Sequence, residues 1–290
     1  MTTRSEFWNE SQPGFKFSDN PPGAREFFAD VREHRYTLEP HIPQIARWRD
    51  WHEKDVLDVG CGVGTDGARF ASHGARYTGL DESPTAIELA RRNFDFEGID
   101  GDFVRGDATA LPFEGESFDL VWSHGVIHHI PDTERAVAEM HRVLRPGGTA
   151  LVMLYHRDSF NYWVTIMGIR RALAALLLVP HGPAAVAAVT REDRSVLEAH
   201  RQLLREYGLR YLRDRQLFLN HNTDGPGNPL SKVYSRHEAR QLFAGFRHVQ
   251  TAVRYLNLRI FPGGQRLARL SPLERLGRRA GWHLYVRATK

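Results

Sequence analysis

A single cysteine, Cys61, stands in the 290 residues, so no intrachain disulfide can form and no thiolate cluster is available for a metal. A chain of this length can bury a core large enough to fold without either, and the reducing cytoplasm is the expected location. Long apolar runs are also missing. The nearest approach is Phe160–Pro180, FNYWVTIMGIRRALAALLLVP, which carries Arg170 and Arg171 in its middle. Each arginine would cost roughly 2.5–3.5 kcal/mol in lipid, so no transmembrane span is expected, and the pattern predicts a buried or interfacial helix over Phe160–Val179. The opening MTTRSEFWNESQPGFKF lacks an apolar core of signal-peptide type and reads as mature sequence. No internal repeat or low-complexity tract occurs. With 41% apolar and 26% charged residues, the composition excludes a disordered tail, a collagen and a coiled coil.

Charge is present but unevenly placed. Residues 1–53 carry 7 basic and 9 acidic side chains, residues 54–157 carry 10 and 17, and residues 158–290 carry 22 and 9. An acidic middle suits a cationic ligand, and a strongly basic remainder suits an anionic acceptor or a membrane surface contacted peripherally.

From Lys54 the chain alternates short β-branched runs with helical periodicity. Strands are predicted at Asp55–Val59, Arg76–Leu80, Asp102–Arg105, Phe118–Ser123 and Thr149–Tyr155. One intervening helix opens with Ser83 as N-cap and Pro84 at its first position; another opens after Asp132 and should stop at Pro146-Gly147-Gly148. The rhythm breaks over 158–232, too long for a connector, with a charged helix over Arg191–Tyr207 and a polar loop, Asn220–Asn228. It resumes with a helix at Ser235–Phe243 and strands at His248–Tyr255 and Gly281–Ala288. The segment between those two strands offers no turn chemistry for a tight hairpin. Three parts follow: an N-terminal segment over 1–53, an α/β core over 54–157 and 233–290, and an inserted helical cap over 158–232. The expected fold is a doubly wound, open parallel sheet covered on both faces.

At the end of the first strand, Gly60-Cys61-Gly62-Val63-Gly64 forms a glycine turn into a helix, where a ligand can touch backbone. Its GxGxG spacing is followed by Thr65 and Asp66, with no basic residue before Arg69, and that disfavours phosphate. Acids stand near the ends of the first three strands instead: Asp58, Asp81 with Glu82, and Asp107. Asp81 follows Gly60 at the distance from which an acid accepts a ribose diol; Asp107 can accept from an adenine amino group, and Asp58 can face an ammonium. S-adenosylmethionine, a nucleoside with an ammonium and a sulfonium and no phosphate, fits all three.

These segments together resemble the class I S-adenosylmethionine-dependent methyltransferases, of Rossmann-like seven-strand type. VLDVGCGVG is similar to that family's cofactor loop, GLDES to its ribose acid, GDATALPFEGESFDLVWS to its adenine-side acid and fourth strand, HGVIHHIPD to the segment after that strand, and LRPGG to the approach to the fifth. The resemblance implies cofactor contacts from Asp58, Gly60, Cys61, Gly62, Gly64, Asp81, Glu82, Asp107, Ala108 and Ser123, with S-adenosylhomocysteine as product. It is silent on the acceptor, because the same core methylates oxygen, nitrogen, carbon and sulfur.

For the chemistry, His124, His128 and Tyr36 are the catalytic candidates; one helical turn would put His124 and His128 on a shared face. HGVIH lacks the glutamate of HExxH and an evident third ligand, so no metal is expected. Arg35 and His41 in the N-terminal segment, read as a lid, and Asn222 and Asp224 in the polar loop, are the candidate acceptor contacts. The aromatic N-terminus and apolar cap suggest a small-molecule acceptor, a secondary metabolite or a lipid-like compound. An RNA methyltransferase and a cofactor-bound protein that does not methylate are the alternatives; no RNA-binding module or NPPY-type motif supports the first.

Overall fold

Among the described residues, seven extended segments form where alternating or continuous β-branched residues can be buried: β1 Asp55–Val59, β2 Arg76–Asp81, β3 Asp102–Arg105, β4 Phe118–His124, β5 Leu144–Tyr155, β6 His248–Arg254 and β7 His283–Thr289. The structure, a computed structural model, describes residues 4–290 except 11, 13, 191, 260, 262 and 269. The strands lie in one sheet of order β3-β2-β1-β4-β5-β7-β6. β1 to β5 run parallel and β7 is antiparallel to β5. This is the Rossmann-like α/β arrangement, and the order reverses between β1 and β4. Sheets of this kind bind ligands at the carboxyl ends of the strands beside such a switch point. Val56, Leu57, Leu120, Val121, Ala150 and Val152 are fully buried at the sheet's centre.

One expected boundary is corrected. The helix before β5 is Thr133–Val143, and Pro146-Gly147-Gly148 lies inside β5 rather than ending the helix. Leu144 turns extended and pairs with Phe118, and the register then shifts before Leu120 meets Thr149. Gly147 takes φ +81°, and its amide donates to the Lys290 carbonyl at 3.1 Å. Pairing with β4 and β7 thus reaches further back than the helical pattern suggested.

The chain forms two compact units. The larger contains Ser5–Tyr155, Tyr234–Ala252 and His283–Lys290. Its N-terminal helix Arg25–Leu38 buries Phe27, Phe28 and Val31 in one cluster with Val63 and Leu89. The first of those partners lies in the glycine turn and the second in helix Pro84–Glu97, whose N-cap Ser83 accepts from the Ala86 amide as the sequence predicted. Helix Arg236–Leu242 is closed by a reciprocal capping box between Ser235 and Glu238.

The other unit is built from His156–Val233 and Val253–Trp282, so the basic segment between the last two strands groups with the insertion. Residues 260, 262 and 269 of that segment lie outside the described residues. The run predicted as one helix over Phe160–Val179 is π-helical over Asn161–Arg170 and α-helical over Arg171–Leu176, and Leu178 and Val179 are exposed. Among the described residues no helix is long and apolar enough to cross a membrane. The charged helix forms over Arg194–Tyr207. Asn220–Thr223, expected in a loop, close the helix Arg215–Thr223, because Asp214 caps its start by accepting from the amides of Gln216 and Leu217.

Candidate active site

The glycine turn is shaped by three left-handed residues, Gly60 at φ +79°, Gly62 at +54° and Gly64 at +75°. Their surroundings differ. A Cβ on Gly60 would lie 2.3 Å from Val126, so this residue is glycine because the segment after β4 presses on it. Among the described residues, a Cβ on Gly62 would meet nothing within 4 Å. The turn therefore opens into free space at Gly62, as a backbone cradle for a ligand must.

Asp81 ends β2 beside that space and grips the turn. Its carboxylate accepts from the Gly62 amide at 3.0 Å and from the Ser83 amide at 2.9 Å. Burial pushes its carboxyl up to about 6 against those two bonds. Asp58, in β1, is buried and accepts from the Tyr77 hydroxyl at 3.0 Å. Burial, and then the neighbouring Asp66, push it up to about 8. Cys61 is buried as well, and burial pushes its thiol well up. Glu82 follows Asp81, and its carbonyl accepts from Arg105. Asp107 is exposed and accepts from the amide and hydroxyl of Thr109, while Ala108 is buried. Glu139 and Arg142 clamp the loop behind them: Glu139 accepts from the Leu111 amide, and Arg142 donates to the carbonyls of Leu111 and Phe113. Ser123 donates to the Val59 carbonyl at 2.9 Å and so ties β4 to the end of β1.

The N-terminal segment reaches this end of the sheet. Asn9 accepts from the hydroxyls of Ser83 and Thr85, and Gln12 donates to the Ser83 hydroxyl. Arg35 forms a two-pronged ion pair with Asp66, and the Tyr36 hydroxyl donates to the same carboxylate at 3.0 Å. Burial and Asp66 push the Tyr36 hydroxyl well above its ordinary value. Both side chains thus anchor the segment to the helix that follows the glycine turn, Thr65–Ser72.

His124 and His128 do not share a helical face. His124 is the last residue of β4, Gly125 turns at φ +82°, and Ile127–His129 is a short 3-10 turn. The left-handed glycine interrupts the helix that the spacing suggested. His128 is fully buried, with its ring 3.9 Å from that of Tyr155, and burial pushes it well down. His124 Nε2 lies 2.8 Å from the Tyr285 hydroxyl, which also lies 3.0 Å from His41 Nε2. Asn222 belongs to the other compact unit, where its amide donates to the Tyr211 hydroxyl and the Phe218 carbonyl. Asp224 is the C-cap of the helix ending at Thr223.

Sequence reasoning missed Asn9, Gln12, Glu39, Asp66, His283 and Tyr285. Only the last two left a signal: in the final strand they alternate on one side, where a polar pair on a buried strand marks something other than packing.

Residues 57–152 match the methyltransferase-domain family model. Over 101 residues the chain is 48% identical to phthiotriol/phenolphthiotriol dimycocerosates methyltransferase 1 of Mycobacterium ulcerans, covering 34% of this chain and 36% of that protein. It is 30% identical over 115 residues to the ubiquinone biosynthesis O-methyltransferase of Coxiella burnetii, covering 40% and 49%. The chain thus spans only about a third to a half of the length of these relatives. In fold it is similar to a chain in the complex of the Haloferax volcanii Trm112 methyltransferase activator with a putative methyltransferase, at TM-score 0.51 and 19% identity over 92% of this chain and 95% of that one.

Proposed function

We propose that this protein, whose residues 57–152 match the methyltransferase-domain family model, is a class I S-adenosylmethionine-dependent methyltransferase that acts on a small-molecule acceptor, a secondary metabolite or a lipid-like compound. The carrying observation is the free space at Gly62 beside the Asp81 carboxylate. S-adenosylmethionine, when bound, supplies a methyl group already activated by positive charge on sulfur. What the protein adds is position and exclusion of water. Asp81 accepts the ribose hydroxyls, Asp107 the adenine amino group, and the buried acid Asp58 answers the ammonium. Gly60, Cys61, Gly62 and Gly64 present backbone, while Arg35 and Tyr36 hold the N-terminal segment on Asp66. Two relatives named as methyltransferases of phthiotriol/phenolphthiotriol dimycocerosates and of ubiquinone biosynthesis support a small-molecule acceptor.

Calorimetry with S-adenosylmethionine and S-adenosylhomocysteine tests the cofactor. Asp81→Ala should weaken binding by roughly 1.5–3 kcal/mol, the value of a charge-assisted pair. A folded wild-type protein that binds neither compound would remove the proposal. Labelled methyl transfer to pooled metabolites and to RNA, with the product identified by mass, tests the acceptor class, and methylated RNA would replace it.

A further inference from the structure

Four buried or nearly buried side chains from three distant parts of the sequence meet at the carboxyl end of β4: His41, His124, His283 and Tyr285. The Tyr285 hydroxyl stands between two imidazoles, 2.8 Å from His124 Nε2 and 3.0 Å from His41 Nε2. His41 Nε2 is also 3.3 Å from His283 Nδ1. The Glu39 carboxylate flanks the group, 4.0 Å from His124 Nε2 and 3.8 Å from His283 Nε2. A hydroxyl has one proton, so it donates to one ring and accepts from the other, which makes the array a directed chain.

We infer that this chain is a proton relay: His124 is the base for an acceptor that must lose an O–H proton, and Tyr285 and His41 carry the charge away from the reacting atoms. The inference rests on the methyltransferase reading and narrows its acceptor to a hydroxyl. His124 is placed for the role because Val126, two residues on, presses against Gly60 of the cofactor turn. Its Nε2 is held by Tyr285, which leaves Nδ1 for the acceptor.

As the acceptor oxygen's lone pair forms the new bond to the methyl carbon, the carbon–sulfur pair stays on sulfur, the O–H pair stays on oxygen, and the proton goes to His124 Nδ1. The Nε2 proton then passes to the Tyr285 oxygen while the hydroxyl's own proton passes to His41 Nε2. The sum is one proton moved and one cation formed at His41, in the neighbourhood of Glu39.

The surroundings explain why a relay is needed. His124 is faced by Arg35, Glu39, His41, His128 and His283. Burial, then Arg35 and His41, hold its ring well below the usual imidazole range, and burial does the same to His283. A ring so disposed is neutral and ready, yet keeps a proton poorly, so it works as a base only by passing the proton on. The ligating atoms of Glu39, His124 and His283 lie within 4.8 Å of one another, a spacing that also suits a divalent cation. Two features favour the relay: Tyr285 holds the same Nε2 that a cation would need, and the Arg35 guanidinium is 3.8 Å from Glu39.

Imidazole 15N spectra of the full chain, with and without S-adenosylmethionine, test the relay without knowledge of the acceptor. The wild type should show His124 neutral at pH 7 with its proton on Nε2, and Tyr285→Phe should move the His124 and His41 signals together while cofactor affinity holds. With the acceptor recovered from the transfer assay, Tyr285→Phe should lower kcat about 10–100-fold at unchanged KM, with the deficit shrinking as pH rises. A His124 that is protonated at pH 7, a His41 signal that ignores Tyr285→Phe, or a product methylated at nitrogen, sulfur or carbon would overturn it. So would activity abolished by a chelator and restored by zinc or magnesium. Intact coupling in a protein that binds no S-adenosylmethionine would instead sink the methyltransferase reading and spare the cluster.

Discussion

Gly60 and Gly62 sit two residues apart with the same hand of backbone, yet substitution should separate them cleanly. Alanine at Gly60 would drive a methyl group into Val126 and should destabilise the fold. Alanine at Gly62 would meet nothing within 4 Å among the described residues and carries the cost of a left-handed alanine, roughly 1–2 kcal/mol. The Gly62→Ala protein should therefore melt as a folded domain and lose at least tenfold in S-adenosylmethionine affinity; retained affinity would mean that the open space is not the cradle. The acids beside the turn give a second residue-scale prediction. Burial raises Asp58 to about 8, so at pH 7 its carboxyl is largely protonated. Because an acid raised above its unfolded value near 3.8 favours the protonated native state, the free protein should lose stability as pH rises from about 4 through about 8. A ligand ammonium reverses the preference, so binding at pH 7 should release protons. Calorimetry in phosphate and in Tris should then return different apparent enthalpies, and equal ones would place the ammonium elsewhere.

Helices and strands differ in how openly the sequence declared them. β1 to β4 formed within a residue of their predicted ends because continuous apolar runs bounded by turn residues have few alternatives. Helix Pro84–Glu97 was equally legible from Ser83 and Pro84, whose capping chemistry is local. The polar stretch Asn220–Asn228 was not, since its polarity serves partners rather than solvent. Asn222 bonds Tyr211, the Thr223 and Ser231 hydroxyls are 2.6 Å apart, and Asn228 donates to Ser231. His200 Nδ1 lies 2.8 Å from that same Tyr211 hydroxyl, and burial lowers its ring to about 4. A histidine lowered below its unfolded value near 6.5 stabilises the native state above that pH, and the contribution is lost as pH falls from about 6.5 towards about 4. Acid unfolding of the wild type should show this slope, worth roughly 3 kcal/mol at most. His200→Gln should flatten it; an unchanged slope would assign the acid sensitivity to other groups.

For the molecule entire, the uneven charge is the property that no single residue shows. If the 22 basic against 9 acidic side chains of residues 158–290 gather an anionic acceptor, acceptor KM should rise with added salt while S-adenosylmethionine affinity barely changes. A KM that is flat from low to high salt would return these arginines to ordinary solvation. A steep loss of RNA binding with salt would favour a nucleic-acid acceptor.

The sequence by itself determined the sheet, its glycine turn and the acids at its strand ends. Each of these depends on residues close in the chain: a strand and its turn, a cap and its helix, Asp81 at a fixed distance from Gly60. Only the tertiary structure decided what those residues face. It brought Asn9 to Ser83, Arg35 and Tyr36 to Asp66, and His41, His124, His283 and Tyr285 into one buried array. Contacts between residues 30 to 244 positions apart leave no period or spacing to read, because a hydrogen bond constrains two atoms in space and nothing in the chain between them.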